Sequence, residues 1–159
     1  MMAVAVPFLL AATGCEQNSP TNTVSSAVTL SQATITVDDQ SLDGQTMHQG
    51  EQAGTMRYEA HLVDQHNEPA PGRAVRVRVE MPGMMGSMHH MTEELFCYDD
   101  GTHGDPVPGD GVYCYEDPTV EHGCHRADAQ PGDYHYDFCG VDEHGHESNH
   151  MDLMVRLLP

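Results

Sequence analysis

The chain contains no lysine, and its six basic residues are all arginines set against 25 aspartates and glutamates. The formal net charge is −19 at pH 7. A surface of this sign repels the phosphates of nucleic acids and the anionic headgroups of membranes, so the composition argues against both as binding partners. Metal cations and basic proteins are compatible with the charge.

Aliphatic core residues are also scarce. Leu, Ile, Val and Phe account for 27 of 159 residues, which is below the roughly 20 % at which a highly charged chain begins to resemble a disordered one. Strand-like alternation favours a folded domain instead, and six tyrosines and eleven methionines supply further area for burial. The length suits a single domain.

Common catalytic motifs are missing as well. The sequence has no G-x-S-x-G turn and no Gly-rich phosphate loop. Carboxylates are plentiful, but no pair stands out for acid–base catalysis. We therefore expect a binding protein and not an enzyme.

The first 14 residues predict export from the cytoplasm. Residues 1–13 are apolar and shorter than the about 20 residues that a membrane-spanning helix needs. The sequence Ala12-Thr13-Gly14-Cys15 resembles the lipobox of bacterial lipoproteins, which implies a lipid on Cys15. A plain secretory peptide is the alternative.

The anchored form would place the protein on the outside of a membrane. Residues 15–26 are polar and are expected to form a flexible tether to a domain spanning 27–159. In the lipoprotein family an aspartate after the lipidated cysteine is associated with retention at the inner membrane. This chain has Glu16 there, so the resemblance favours the outer membrane.

Export would expose the other cysteines to an oxidising compartment. Cys97, Cys114, Cys124 and Cys139 form an even set, and four cysteines allow three pairings. We expect two disulfides and favour Cys97–Cys114 and Cys124–Cys139, because each would close a short connection between neighbouring strands. Each bond would add about 3 kcal/mol of stability. A cysteine-ligated metal site is the alternative, although the chain has no C-x-x-C pair.

Seven segments predict β-strands, separated by turns rich in Gly, Pro and Asp. In the clearest segment, 74–81, Val75, Val77 and Val79 alternate with charged residues and should face inward. The other segments are 28–37, 56–63, 94–98, 112–116, 134–142 and 151–158. No stretch has a convincing helical period. Seven short strands of this kind predict an all-β domain, a single immunoglobulin-like antiparallel sandwich.

Three segments resemble known families. Residues 131–145 resemble the penultimate strand of bacterial immunoglobulin-like and fibronectin-like domains, and residues 99–113 are similar to a loop of extracellular immunoglobulin-like modules. Residues 71–84, a strand that ends in Met-Pro-Gly-Met, resemble the YtkA-like family of exported sandwich domains. That resemblance implies a Met- and His-containing loop after the strand.

Residues 81–91 are the strongest candidate binding segment. Five methionines and two histidines occur in these eleven residues, broken by glycines, and strand packing does not explain the pattern. Thioether sulfur suits Cu(I), and imidazole suits Cu(II), Zn or Ni. The segment predicts a copper site with these donors: Met81, Met84, Met85, Met88, His89, His90 and Met91. The alternative is that Met81 and Met84 plug one end of the sandwich and the rest is an ordinary loop.

Histidines near the C-terminus form a second group. His144 and His146 flank one turn, and His150 follows shortly after. These imidazoles would add contacts to the methionine segment if both regions lie at one end of the sandwich. The alternative is that they are solvated surface side chains, which is common for loop histidines in an acidic chain.

An acidic, Gly-rich segment is a candidate for calcium. Asp99, Asp100, Asp105 and Asp110 could offer hard carboxylate oxygens. The spacing departs from an EF-hand, and Asp and Gly are also the residues that tight turns require. We prefer the turn interpretation for this segment.

Two functions follow from these patterns. The leading one is a lipid-anchored, metal-handling module that binds copper outside the cytoplasm. The alternative is a structural or adhesive immunoglobulin-like module that binds a protein or a glycan of the cell envelope. Calcium bound by the acidic segment could stabilise such a module. In either case the partner is a metal ion or an envelope molecule, and contact with the membrane is through the lipid anchor alone.

Overall fold

The computed structural model describes residues 28–50, 54–83, 91–119 and 121–159. Within these ranges the chain is all-β, with one 3₁₀ turn at Gly123–His125. The strands are β1 (Val28–Val37), β2 (Gln40–Ser41), β3 (Thr46–His48), β4 (Met56–Asp64), β5 (Ala74–Met81), β6 (Met91–Cys97), β7 (Val112–Asp117), β8 (Gly132–Val141) and β9 (Glu147–Leu158). No helix in these ranges is long and apolar enough to cross a bilayer. The predicted export segment, Cys15 and the tether lie outside the described residues.

The strands form two sheets. One has four strands in the order β2-β1-β4-β7, and the other has five in the order β3-β9-β8-β5-β6. The named strand pairs are antiparallel except for β3 and β9, which run parallel. Side chains from both sheets build one continuous buried core. The architecture is therefore sandwich-like, as expected for two sheets that each have one apolar face.

All seven predicted strand segments are strands, but the predicted number was wrong because the described residues contain nine. The two additional strands, β2 and β3, are two and three residues long. Their sequences have no apolar alternation, since only Met47 is buried among these five residues. They exist because the outer edges of β1 and β9 offer unpaired backbone groups, which is a tertiary and not a local property.

The alternation in β5 is confirmed. Val75, Val77 and Val79 are fully buried. In register beside them on β8, Phe138 lies opposite Val77 and Tyr136 lies opposite Val79. Cross-strand pairs of a β-branched and an aromatic residue stabilise a sheet and fill its apolar face. The same registers place the intervening charged residues of β5 and β8 on the outer face.

The predicted Cys97–Cys114 disulfide is absent, and both thiols are free. Cys97 pairs with buried Val75, so its side chain faces the core. Cys114 pairs with Glu59 on the outer face of the four-stranded sheet, where its sulfur lies 2.9 Å from the Arg57 guanidinium. Their strands belong to different sheets, and Cys97 faces the core between the sheets whereas Cys114 faces away from it.

The predicted Cys124–Cys139 disulfide is also absent for a similar reason. Cys124 lies in the 3₁₀ turn, and its N–H donates to the hydroxyl of Tyr136, a core residue. Cys139 lies on the outer face of the same strand as Tyr136 and pairs in register with Arg76. Strand β8 therefore separates the two thiols.

Burial keeps these thiols in the neutral form near neutral pH. Desolvation raises the pKa of Cys97 well above its ordinary value and that of Cys114 to about 12. It raises the pKa of Cys124 and Cys139 to about 11. The four cysteines are therefore packed as buried, neutral thiols.

Candidate metal-binding sites

The methionine segment joins the two strands of one hairpin. Met81 ends β5, Met91 begins β6, and the two residues are direct cross-strand partners. Directly opposed side chains on one face of a sheet have Cβ atoms about 4.5–5.5 Å apart, so both ends of the connection are held together. The other predicted copper donors lie outside the described residues; they are Met84, Met85, Met88, His89 and His90.

The two framing methionines differ in environment. Met81 is 7 % exposed and belongs to the core, as the interpretation of this residue as a plug for the sandwich predicts. Met91 is 44 % exposed. A shallow groove lies beside them and is also lined by Pro82, Gly123, Arg126 and Tyr134. The exposed thioether of Met91 is accessible from this groove.

The C-terminal histidines lie at the opposite end of the five-stranded sheet. Ala74, at the start of β5, pairs with Val141 beside the β8–β9 turn, whereas Glu80 near the end of β5 pairs with His135. At about 3.3 Å per residue, the turn and the methionine hairpin are separated by roughly 20 Å along the sheet. His144, His146 and His150 therefore do not join Met81 and Met91 in one site.

The β8–β9 turn collects a small set of possible ligands. One atom each from Asp142, His144 and His146 lie within 4.8 Å of one another. Asp142 accepts hydrogen bonds from the His146 ring, 2.9 Å away, and from the backbone N–H groups of His144 and His146. These donors hold the pKa of Asp142 well below its usual range. Arg73 also reaches this carboxylate, at 3.3 Å, so the turn is already well stabilised.

His150 belongs to a different group. It pairs in register with Cys139, and one ligand atom each from Cys139, Glu147 and His150 lie within 4.8 Å of one another. The cluster is on the outer face of the five-stranded sheet, bordered by Arg76 and Asp137. We refer to Cys139, Glu147 and His150 as the Cys-Glu-His cluster.

A β-bulge creates this cluster. Cys139 pairs with His150, and Val141 pairs with Glu147. Between these two pairs β8 therefore advances by two residues and β9 by three. In a regular strand, positions three apart face opposite sides of the sheet. The extra residue in β9 places Glu147 and His150 on the same side. Sequence reasoning missed the cluster because it assigned Cys139 to a disulfide. Residues 146–150 have the H-E-x-x-H pattern, but β9 begins at Glu147, so they lack the helix on which that motif places its two histidines.

Three of the four predicted calcium ligands converge. One carboxylate oxygen each from Asp99, Asp105 and Asp110 lie within 4.8 Å of one another, and Asp105 is buried. Asp100 lies apart from them and accepts hydrogen bonds from the N–H and hydroxyl of Thr102. The sequence therefore identified the segment but not which of its aspartates would meet.

The converging aspartates also build the turns of the segment. Asp99 accepts hydrogen bonds from the N–H groups of residues 109, 110 and 111, and Asp105 accepts them from residues 101 and 107. Glycines occupy positions 101, 109 and 111 with φ of 76°, 80° and 83°, a region that side chains disfavour. This supports the turn-forming role that we preferred.

No protein-family model matches this chain, and no curated protein matches it. The function therefore has to be inferred from the chemistry of these groups. In the described part of the chain they offer four different donor sets. These are thioethers at one end of the five-stranded sheet, a thiol–imidazole–carboxylate set on its outer face, an imidazole–carboxylate set at the β8–β9 turn, and clustered carboxylates in the segment before β7.

Proposed function

We propose that the protein is an exported, lipid-anchored and non-enzymatic binding module that binds copper through the segment from Met81 to Met91. The main observation in support of this proposal is the cross-strand pairing of Met81 with Met91. It gathers the ends of a nine-residue connection that contains three further methionines and two histidines. Soft thioether donors tethered at one short hairpin favour Cu(I) over harder ions.

The state of the cysteines supports this proposal. Cys97, Cys114 and Cys124 are buried and their thiols are neutral, so they do not compete for a soft ion at the surface. Thioethers carry no proton to lose, so a methionine site retains Cu(I) over a wide pH range. Among the described residues, Met91 lies next to the hairpin connection and exposes its thioether to solvent.

The scaffold that we infer is immunoglobulin-like. Strands β5, β8 and β9 lie side by side as the C, F and G strands of such domains do, and β4 and β7 pair as B and E. Strand β6 then takes the C′ position at the edge of β5. The resemblance of residues 71–84 to YtkA-like domains supports the same scaffold and the placement of a metal-binding loop after β5.

A Cu(I) competition titration against a chromophoric chelator tests the copper proposal. The full-length chain should withdraw Cu(I) from the chelator, and replacing Met84, Met85 and Met88 together by leucine should weaken binding at least 100-fold. The matched control is the double substitution of His144 and His146 by asparagine at the opposite end of the sheet, which should leave the Cu(I) affinity unchanged. Equal affinities for the leucine variant and the wild type would refute the proposal.

The convergence of Asp99, Asp105 and Asp110 favours a second candidate, a calcium-stabilised structural module. Carboxylates about 5 Å apart repel each other by about 1 kcal/mol per pair even in water, and more where one is buried. A hard cation with oxygen ligands would relieve this repulsion. In this version the envelope partner is a protein or a glycan, and calcium holds the segment before β7 in place.

Thermal unfolding with and without Ca²⁺ tests this candidate. Binding to the folded state alone would add about 2.7 kcal/mol of stability when Ca²⁺ is at 100 times its Kd. The substitution Asp105→Asn should remove the calcium-dependent rise in Tm, whereas Asp100→Asn should retain it because Asp100 lies outside the converging set. A Tm that does not respond to Ca²⁺ would exclude this candidate without affecting the copper proposal.

A further inference from the structure

The Cys-Glu-His cluster has the composition of a transition-metal site. A thiol, a carboxylate and an imidazole are the three side-chain types that bind Zn²⁺ in proteins. The three residues come from two hydrogen-bonded strands, β8 and β9, so the sheet and not a loop sets their positions. Sites built on strands are held more accurately than sites built on loops.

Both ring nitrogens of His150 face carboxylate oxygens. Nδ1 lies 2.7 Å from an oxygen of Asp137, and Nε2 lies 3.3 Å from an oxygen of Glu147. If Nδ1 carries the ring proton and donates it to Asp137, the lone pair on Nε2 faces Glu147, which is repulsive unless a cation lies between them. A metal-bound histidine usually donates its other N–H to a carboxylate in this way.

The separation of these two atoms suits a metal ion. A tetrahedral zinc ion with bonds of about 2.0–2.1 Å holds a nitrogen and an oxygen ligand about 3.3 Å apart, which is the observed distance between His150 Nε2 and Glu147 Oε2. The sulfur of Cys139 lies within 4.8 Å of the other two ligand atoms. A small side-chain adjustment would bring it to a zinc–sulfur bond of about 2.3 Å.

The charges around the cluster also balance with a divalent ion. Arg76 lies 3.3 Å from the sulfur of Cys139 and 2.5 Å from Glu147. With Cys139 as a thiolate, the anions Cys139, Glu147 and Asp137 and the cation Arg76 sum to −2. A divalent metal ion would neutralise the group, and Arg76 would remain beside the thiolate and the carboxylate as a hydrogen-bond donor.

We propose that Cys139, Glu147 and His150 bind a borderline divalent metal ion, with Zn²⁺ as the best match, and that Asp137 orients the imidazole. As the sulfur–metal bond forms, the Cys139 thiol releases its proton to solvent. Three protein ligands leave a fourth position for water or an external ligand. This site is separate from the copper segment, and neither proposal depends on the other.

Titration of the full-length chain with Co²⁺ as a spectroscopic probe for Zn²⁺ tests the site. Wild-type protein should develop a thiolate-to-cobalt charge-transfer band in the near ultraviolet together with the intense visible bands of tetrahedral cobalt, and Zn²⁺ should displace both. The substitution Cys139→Ser should abolish the charge-transfer band. His150→Gln and Glu147→Gln should each weaken binding at least tenfold, and Asp137→Ala should weaken it about 10- to 100-fold.

The matched control is His135→Asn, because His135 also lies on the outer face of β8 but outside the cluster. This variant should bind Co²⁺ as wild type does. Circular dichroism of each variant shows whether the sandwich is intact, and His150→Gln is the most tolerable substitution because His150 is 41 % exposed.

Two results would overturn the proposal. One is a wild-type chain that develops no charge-transfer band on titration with Co²⁺. The other is a band that persists in Cys139→Ser, which would assign the cobalt to a different cysteine. Variants of the Cys-Glu-His cluster that lose cobalt binding but keep the wild-type Cu(I) affinity would support two independent sites.

Discussion

The two ends of the five-stranded sheet differ in the kind of donor that they present. At the β5–β6 end, Met81 and Met91 contribute thioethers, which are neutral and carry no proton. Toward the β8–β9 end, the sheet presents imidazoles, carboxylates and the thiol of Cys139. A metal ion at that end must compete with protons, whereas one at the methionine end does not. The same sheet therefore separates acid-resistant from acid-sensitive donors.

Lowering the pH should have the largest and most unequal effect on the two ends. The Cys139 thiol has a pKa raised to about 11 by burial, so below that pH a metal must displace its proton and the affinity falls about tenfold per pH unit. Between pH 7.5 and 5.5 we expect Zn²⁺ affinity at the Cys-Glu-His cluster to fall by about 100-fold or more. Cu(I) affinity at the methionine segment should fall much less, because its five thioethers bind no proton and only His89 and His90 do. Competition titrations at both pH values measure this, and equal losses at both sites would contradict the separation.

The histidine end also contains a clamp between the two sheets. The Asn149 side chain accepts a hydrogen bond from the N–H of Leu30 and donates one to its carbonyl, at 2.8 and 3.0 Å, which joins β9 to β1. The substitution Asn149→Ala leaves both partly buried backbone groups unsatisfied and should lower the free energy of unfolding by about 2 kcal/mol. Denaturant unfolding measures the loss. His144→Ala, an exposed change at the same end, is the control and should stay within about 0.5 kcal/mol of wild type.

Acid should weaken the turn at this end. The folded-state pKa of Asp142 is lowered by hydrogen bonds from His146 and the nearby backbone, so its contribution is present above the ordinary pKa of an aspartate and is lost as the pH falls through the lowered value. Asp142→Asn should therefore reduce Tm at pH 7 by a few degrees, and the difference from wild type should shrink steadily below about pH 4. A difference that stays constant down to pH 2 would show that the carboxylate charge does not contribute.

The smallest effects are expected within the methionine end. Met81→Leu changes a core residue and should cost up to about 1 kcal/mol of folding stability, because the volume is conserved but the shape is not. Met91→Leu changes an exposed residue and should alter stability by less than about 0.5 kcal/mol. Chemical denaturation of both variants measures the difference. Equal destabilisation by the two substitutions would mean that the burial of Met81 adds nothing to the free energy of unfolding.

Several features of the fold could be predicted from short stretches of sequence. The alternation in residues 74–81 gave the correct inward face of β5, and the other six predicted strands are also present. Strands β2 and β3 could not be predicted, because they form only where another strand offers an unpaired edge. The convergence of Asp99, Asp105 and Asp110 was only partly predictable, because turn residues identify a segment but not the side chains that meet in it.

The amino-acid sequence is enough to establish that this chain is acidic, that its strands alternate and that soft donors concentrate between residues 81 and 91. Those properties follow from composition and from local periodicity, which act between neighbours along the chain. Tertiary structure alone decided that the cysteines lie on opposite faces, that the C-terminal histidines are far from Met81 and Met91, and that a bulge brings Cys139, Glu147 and His150 together. Each of these depends on the register between distant strands, where a shift of one residue turns a side chain to the other face of the sheet.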